Sequence, residues 1–315
     1  MAAYLELYRS GKLAERIEAA RALLENCRLC PRSCGINRLA NEKGQCRTGK
    51  LAVISSYGPH FGEEAPLVGN HGSGTIFFTN CNLKCIFCQN YTISQLGEGN
   101  EINAEELAKI MLALQDRGCH NINLVSPTHV VPQILEALEI AAHLGLRLPL
   151  VYNSGGYDAS ETLKILDGIV DIYMPDMKYN DEKIAEEFSD IKNYPSINQA
   201  ALKEMYRQVG DLRIDEEGTA VRGLLIRHLV LPNQLAGTEE IMKFIASEIS
   251  PNSYVNVMSQ YHPCYKAFSV HQMNRPLSNQ EFLQAVNSAV SAGLNRLDRI
   301  SDYYQNDLIR AIKIK

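Results

Sequence analysis

Thr75-Ile76-Phe77-Phe78-Thr79-Asn80-Cys81-Asn82-Leu83-Lys84-Cys85-Ile86-Phe87-Cys88-Gln89-Asn90 is the stretch from which the rest of the chain can be read. Its first four residues are β-branched or aromatic, the composition of a short buried strand. They lead directly into three thiols at C-x3-C-x2-C spacing, Cys81, Cys85 and Cys88. A closed zinc site or an ordinary electron-transfer cluster takes four protein ligands, whereas this loop supplies three. Three thiolates on a four-iron cluster leave one iron open to a small molecule. Zinc with a remote fourth ligand, and thiols that merely pack as small apolar side chains, are the alternatives. The clustering of the three favours the cluster, and Phe87 is an aromatic within reach of anything bound on the open iron.

Downstream, short apolar runs alternate with longer amphipathic ones. Thr75 to Phe78, Asn121 to Val125, Leu148 to Tyr152, Ile169 to Met174, Gly223 to Leu231 and Tyr254 to Met258 read as strands. Ala104 to Gln115, Pro132 to His143, Ser160 to Leu166, Ser196 to Val209, Thr238 to Glu248 and Ser278 to Ala292 read as helices. Repeated β-then-α order predicts parallel strands joined by right-handed crossovers. Six such units are too few for a closed eight-stranded barrel, so the expectation is an α/β fold, a partial (β/α)6 barrel of TIM type, with its site where strands end and loops begin.

Polar groups stand at each of those ends. Ser126-Pro127-Thr128-His129 follows the second strand, Asn153-Ser154-Gly155-Gly156 the third, and Asp176-Met177-Lys178 the fourth. The fifth carries Arg227-His228, and Ser259-Gln260-Tyr261-His262 follows the sixth. Any one of these is explicable as a loop satisfying its own backbone. Their recurrence at successive strand ends points to a binding site.

Ahead of the barrel, Cys27, Cys30, Cys34 and Cys46 form C-x2-C-x3-C-x11-C among Pro31, Gly35, Gly44 and Gly49. Four thiols in a turn-rich stretch can close on one metal group, and zinc and an auxiliary iron-sulfur cluster both accept four thiolates. Leu5, Tyr8, Leu13, Ile17, Ala20 and Leu24 recur at near-helical spacing and predict amphipathic helix docked on the core. The expected organisation is therefore a helical and cysteine-rich metal-binding segment over residues 1–70, then the barrel with a C-terminal extension over residues 71–315. Cys119 and Cys264 lack partners at metal spacing and read as packed thiols. Gly58-Pro59-His60-Phe61-Gly62-Glu63-Glu64 reads as a solvated loop, with a substrate or metal contact as the alternative.

The composition is that of a globular protein, with 45% hydrophobic and 21% charged residues. A net charge of -5 and a pI near 5.9 provide no general basic surface for nucleic acid, although a local basic patch is compatible with them. An odd cysteine count, nine, and no secretory pattern favour a reducing cytoplasm. No apolar run of about 18 residues predicts a membrane span.

With these residues in view, the chain resembles the radical SAM superfamily, and within it the pyruvate formate-lyase activating enzyme group, in a branch carrying an N-terminal four-cysteine segment. The resemblance rests on Cys81 to Asn90, Asp176-Met177-Lys178, Ile226-Arg227-His228-Leu229-Val230-Leu231-Pro232 and Tyr261-His262. It implies that Cys81, Cys85 and Cys88 hold a 4Fe-4S cluster and that Asp176, Lys178, Arg227 and His262 surround S-adenosylmethionine (SAM). The family's Gly-Gly-Glu stretch for the SAM ammonium is replaced here by Ser126-Pro127-Thr128-His129, so backbone groups of this loop, at Ser126 and Thr128, become the expected contacts. Asn153 and Phe87 complete the expected set, the latter over the adenine. The implied chemistry is reductive cleavage of SAM to a 5'-deoxyadenosyl radical that abstracts hydrogen, with flavodoxin or ferredoxin as electron donor. The implied substrate is unnamed, with a glycyl-radical protein one form of it. The rival reading is a non-catalytic iron-sulfur or zinc protein serving as electron carrier or scaffold. It has no need of the strand-end polar set.

Overall fold

The computed structural model describes residues 2–298. Ten strands form one sheet: β1 Ala52–His60, β2 Ser73–Phe78, β3 Asn100–Ile102, β4 Ile122–Val125, β5 Leu150–Ser154, β6 Ile172–Pro175, β7 Arg213–Ile214, β8 Ala220–Leu229, β9 Tyr254–Met258 and β10 Arg296–Leu297. Their order is β10-β9-β8-β6-β5-β4-β2-β1-β3, with β7 paired to β8. From β2 to β9 every neighbouring pair is parallel. The helices are α1 Tyr4–Arg9, α2 Lys12–Ala22, α3 Ala65–Val68, α4 Ala104–Asp116, α5 Val131–His143, α6 Ser160–Ile165, α7 Glu182–Ser189, α8 Tyr194–Val209, α9 Thr238–Phe244 and α10 Asn279–Ser291. Each of the six central strands is thus followed by helix before the next, and the sheet stays open. The partial (β/α)6 barrel expected from the sequence is the fold found.

Local chemistry fixes the crossovers. Asn103 and Glu106 form a reciprocal capping box at the start of α4, as do Ser278 and Glu281 at α10, which satisfies amide groups the first turn leaves bare. Leu107, Ile110, Met111 and Leu114 then line one face of α4 and are buried against the sheet. The N-terminal helices join the same core through Leu5, Leu13, Ile17 and Leu24.

The other face of the sheet lines a lumen. Ladder partners share a face, so Asn123 pairs with Thr75 and Val151, Asn153 with Val125 and Met174, and Arg227 with Asn256. The lower lumen is apolar. Val151, Ile172, Met174 and Leu225 pack there around Leu67, which α3 inserts as a plug. Burying a leucine in this way contributes about 2 kcal/mol.

Two departures from the sequence reading bear on the site. Gly58 to His60 is the end of β1, which pairs antiparallel with β2; of the residues after it Phe61 and Gly62 are exposed as expected, but Glu63 and Glu64 are not. Glu64 is 4% exposed and the side chain of Glu63 9% exposed, because α3 turns the chain into the lumen. In addition α7, absent from the sequence reading, holds the cysteine loop: Lys84 N–H donates to Ser189 O at 3.0 Å and Ile86 N–H to Phe188 O at 2.9 Å.

Candidate active site

Where β2, β4, β5, β6 and β8 end, a narrow cleft of about 140 Å3 is lined by Cys81, Cys85, Cys88, Ser126, Asn153, Asp176, Lys178 and Arg227. The fold therefore gathers eight residues that the sequence reading drew from five separate loops. At its centre is a buried ion network. Asp176 Oδ2 accepts from Lys178 Nζ at 2.7 Å, and its Oδ1 accepts from Arg227 Nε at 2.9 Å. Arg227 Nη2 donates to Asn153 Oδ1 at 2.8 Å. Burial works against the Asp176 charge, but Arg227 and Lys178 outweigh it and hold the carboxyl below its usual range. Burial likewise disfavours the charge of Lys178, and Asp176 overrides it and raises the lysine. Lys178 spends one of its three donors on Asp176, which leaves others for a ligand carboxylate.

The backbone of this corner is fixed by α8. Tyr194 Oη donates to Gly155 O at 2.9 Å, and Asn198 Nδ2 donates to Gly156 O and Asp176 O, each at 2.9 Å. Gly156 has φ 72°, and a Cβ there would lie 2.2 Å from both Asn198 Nδ2 and Asp176 O, so only glycine lets the loop approach.

Each sulfur of the triad has a hydrogen-bond partner. Leu83 N–H points at Cys81 Sγ at 3.4 Å, Ser189 Oγ donates to Cys85 Sγ at 2.9 Å, and Ser94 Oγ lies 3.0 Å from Cys88 Sγ. Burial pushes Cys81 up to about 12 and raises Cys88, which favours the neutral thiols until a metal takes the proton's place. Sulfur-directed donors, a shared cleft and adjacent cations suit thiolates that carry an iron-sulfur cluster. As folded, no group of three or more His, Cys, Asp or Glu among the described residues is arranged to hold a single metal ion.

Three expected contacts lie elsewhere. Thr128 Oγ1 donates to Asp158 Oδ1 at 2.7 Å in a buried knot that also takes Tyr152 and Ser154. Phe87 is wedged edge-on against Tyr179 and Tyr261 and anchors the cysteine loop from behind. His262 is exposed, with Nδ1 3.4 Å from Gln89 Nε2. Ser94 and Gln95 line the cleft without having been expected there, beside Asn90 and Gly155 from stretches that the sequence reading singled out. Proximity to the triad was the available signal for both. Cys119 is buried and Cys264 half-buried.

In the N-terminal segment, Cys27 N–H donates to Ile36 O at 2.8 Å and Gly35 N–H to Cys27 O at 3.0 Å, which folds the loop back on itself. Burial pushes Cys30 up to about 12, and the nearby thiols of Cys46, Cys27 and Cys34 add to it. Gly44 passes so close that a Cβ would sit 3.0 Å from Cys34 Sγ.

A wider concavity, about 1030 Å3, is an open basin outside the cleft. Arg32, Lys43, Arg47, Lys84 and Lys266 line it against only Glu187 and Asp190, and Cys34, Ile86 and Gln95 form part of its wall. Thiols and ion network meet in the smaller cleft, not in the basin. The basin is a basic patch between the two cysteine groups. No helix among the described residues is long and apolar enough to cross a membrane.

The family model described as the Radical SAM superfamily matches residues 75–245. An uncharacterized protein of Methanocaldococcus jannaschii is 36% identical over 304 residues, covering 92% of this chain and 82% of its own length. A second from the same organism is 25% identical over 291 residues, covering 85% and 78%. Among solved structures, a radical SAM methyltransferase from Sphaerobacter thermophilus aligns with a TM-score of 0.48 at 14% identity, over 71% of this chain and 66% of that one.

Proposed function

The chain belongs to the radical SAM superfamily, and from that premise we propose that Cys81, Cys85 and Cys88 hold a 4Fe-4S cluster on which the Asn153, Asp176, Lys178 and Arg227 network seats SAM. When bound, the reduced cluster and SAM supply methionine and a 5'-deoxyadenosyl radical for hydrogen abstraction. The observation that carries this reading is the single cleft shared by the three thiols and the buried Asp176–Lys178–Arg227 network. A carrier or scaffold would leave those charges without a task.

The chain's own residues bind and orient. Leu83 N–H and Ser189 direct hydrogen bonds to the sulfurs of Cys81 and Cys85, and Ser94 stands against that of Cys88. Asp176 tethers Lys178 and Arg227, so that Lys178 meets a carboxylate with little rotamer entropy left to lose. The narrow cleft limits water around the reacting groups. Hydrogen abstraction from a glycine of a partner protein is the finer form of this reading, and the activase-like motifs support it.

The same reading seats a flavodoxin or ferredoxin donor on the basic basin, whose five cations complement an acidic surface. Lys84 and Ile86 flank Cys85 directly, so a protein docked there borders the triad loop. The N-terminal quartet is proposed to hold zinc or an auxiliary iron-sulfur cluster. Cys34 on the basin wall gives the second choice a use in electron delivery.

Low-temperature electron paramagnetic resonance tests the central assignment. The anaerobically reconstituted and reduced protein should give a signal that changes on adding SAM. That change should disappear in Lys178→Ala and the triad signal itself in Cys85→Ala. A fully loaded, reduced cluster indifferent to SAM would refute it.

A further inference from the structure

Against the ion network lies a second set of polar groups that the reading above does not use. Glu64 reaches across the open side of the sheet, where its Oε1 accepts from Asn256 Nδ2 at 2.9 Å. Its Oε2 is buried without a hydrogen-bond partner. Asn123 is fully buried, and neither Nδ2 nor Oδ1 makes a hydrogen bond of ordinary geometry, although the carboxamide lies close enough to Glu63 to favour its charge. Buried polar groups are nearly always paired, and an orphaned acceptor and carboxamide in one set mark a place made for a polar group.

Charge says which kind. Glu63 and Glu64 both act electrostatically on Arg227. Arg227, however, is drawn toward the mouth by Asp176 and Asn153, at 2.9 and 2.8 Å. Among the described residues no ion pair within 4.0 Å joins it to either glutamate. Asp176 takes both fixed cations, Arg227 and Lys178, and Glu63 has the His60 imidazole 3.6 Å from its Oε1, so the carboxylate oxygen left without a partner is Glu64 Oε2. A bare metal ion is a poor fit, since no three ligating side chains here are arranged around one. An organic cation with several N–H donors fits better, because it can reach Glu64 Oε2, Glu63 and Asn123 Oδ1 together.

Depth places the set next to the reacting centre. Asn123 lies two residues below Val125, a wall of the cleft level with Asn153, so it is about 7 Å deeper along the strand. Glu64 bonds Asn256, the ladder partner of Arg227, so the group runs from Asn123 up to the level of the ion network.

We infer that Glu63, Glu64 and Asn123 form the recognition site for a cationic N–H donor, an ammonium or guanidinium group, on the molecule from which hydrogen is abstracted. This rests on the radical-enzyme reading for the identity of the ligand as substrate, but not for the binding itself. The test is a ligand-observed NMR titration of the anaerobic, SAM-loaded holoenzyme with methylguanidinium, methylammonium and the neutral isostere N-methylurea. At least one of the two cations should bind about tenfold more tightly than N-methylurea, the effect of one charge-assisted contact, and the preferred cation identifies the group. Glu64→Gln, which keeps the acceptor for Asn256, should abolish that preference. Asn123→Asp, which adds charge, should strengthen it.

Equal binding of cation and isostere, or no binding of any probe, overturns the proposal and leaves these groups to ordered water. A cation preference unmoved by either substitution overturns it as well. Because the titration does not read SAM cleavage, a protein that binds the cation yet never cleaves SAM would refute the enzyme reading alone.

Discussion

Replacing Glu63 by Gln should alter how stability depends on pH, in the direction opposite to that of a salt-bridged carboxylate. Burial pushes Glu63 up to about 7 from an ordinary 4.5, and the neighbouring Glu64 and Asp176 carboxyls add to it, while Arg227 and Asn123 pull it back. His60 also faces it, with Nδ1 3.6 Å from Oε1. Below pH 4.5 the group is protonated in the folded and the unfolded chain and contributes nothing. Between 4.5 and about 7 the unfolded chain has released a proton that the folded chain keeps, so stability falls as pH rises. Above that window the penalty is constant, at about 3 kcal/mol. Glu63→Gln removes the titration. Its stability relative to wild type should therefore climb by about that amount across the window and level off on either side. Urea unfolding followed by circular dichroism, at matched ionic strength and under anaerobic conditions, measures the difference. A stability gap independent of pH, or one that widens toward acid, would show that Glu63 is not held in the lumen as described.

Asp176→Asn leaves Arg227 and Lys178 buried without their shared counter-charge and should destabilise the fold by about 3–5 kcal/mol, read as a shift in the urea midpoint. Gly156→Ala meets both a positive φ and a 2.2 Å contact, so a loss of at least about 2 kcal/mol is expected in thermal unfolding, together with weaker SAM binding. Lys43→Glu combined with Lys266→Glu should slow cluster reduction by flavodoxin and flatten its salt dependence, while reduction by dithionite proceeds at the wild-type rate in stopped-flow absorbance.

The barrel was legible because its six central strands are short, apolar and separated by helices of clear 3.6-residue periodicity, and Tyr254–Met258 was read to the residue. The β1 strand was hidden by Ser55, Ser56, Gly58 and Pro59, which look like a loop but suit an edge region exposed along much of its length. In α7 only Ala185, Phe188 and Ser189 are buried, too few apolar positions to announce a helix. Among site residues, Asn153, Asp176, Lys178 and Arg227 were readable because a strand end fixes where a side chain emerges. The direction of Thr128 was not, since its partner Asp158 is 30 residues away and wins the hydroxyl through a contact only the fold creates. Glu63 and Glu64 were misread for the ordinary reason that adjacent carboxylates are almost always solvated. The turn into α3 that buries them depends on Leu67 seating among strands distant in sequence.

The central claim is tested most directly by incubating the iron- and sulfide-reconstituted protein anaerobically with dithionite and SAM and measuring 5'-deoxyadenosine by chromatography. The account predicts 5'-deoxyadenosine from the wild-type protein and none from Cys85→Ala, whose N-terminal quartet is intact. A fully loaded and reduced wild-type protein that forms none would contradict it.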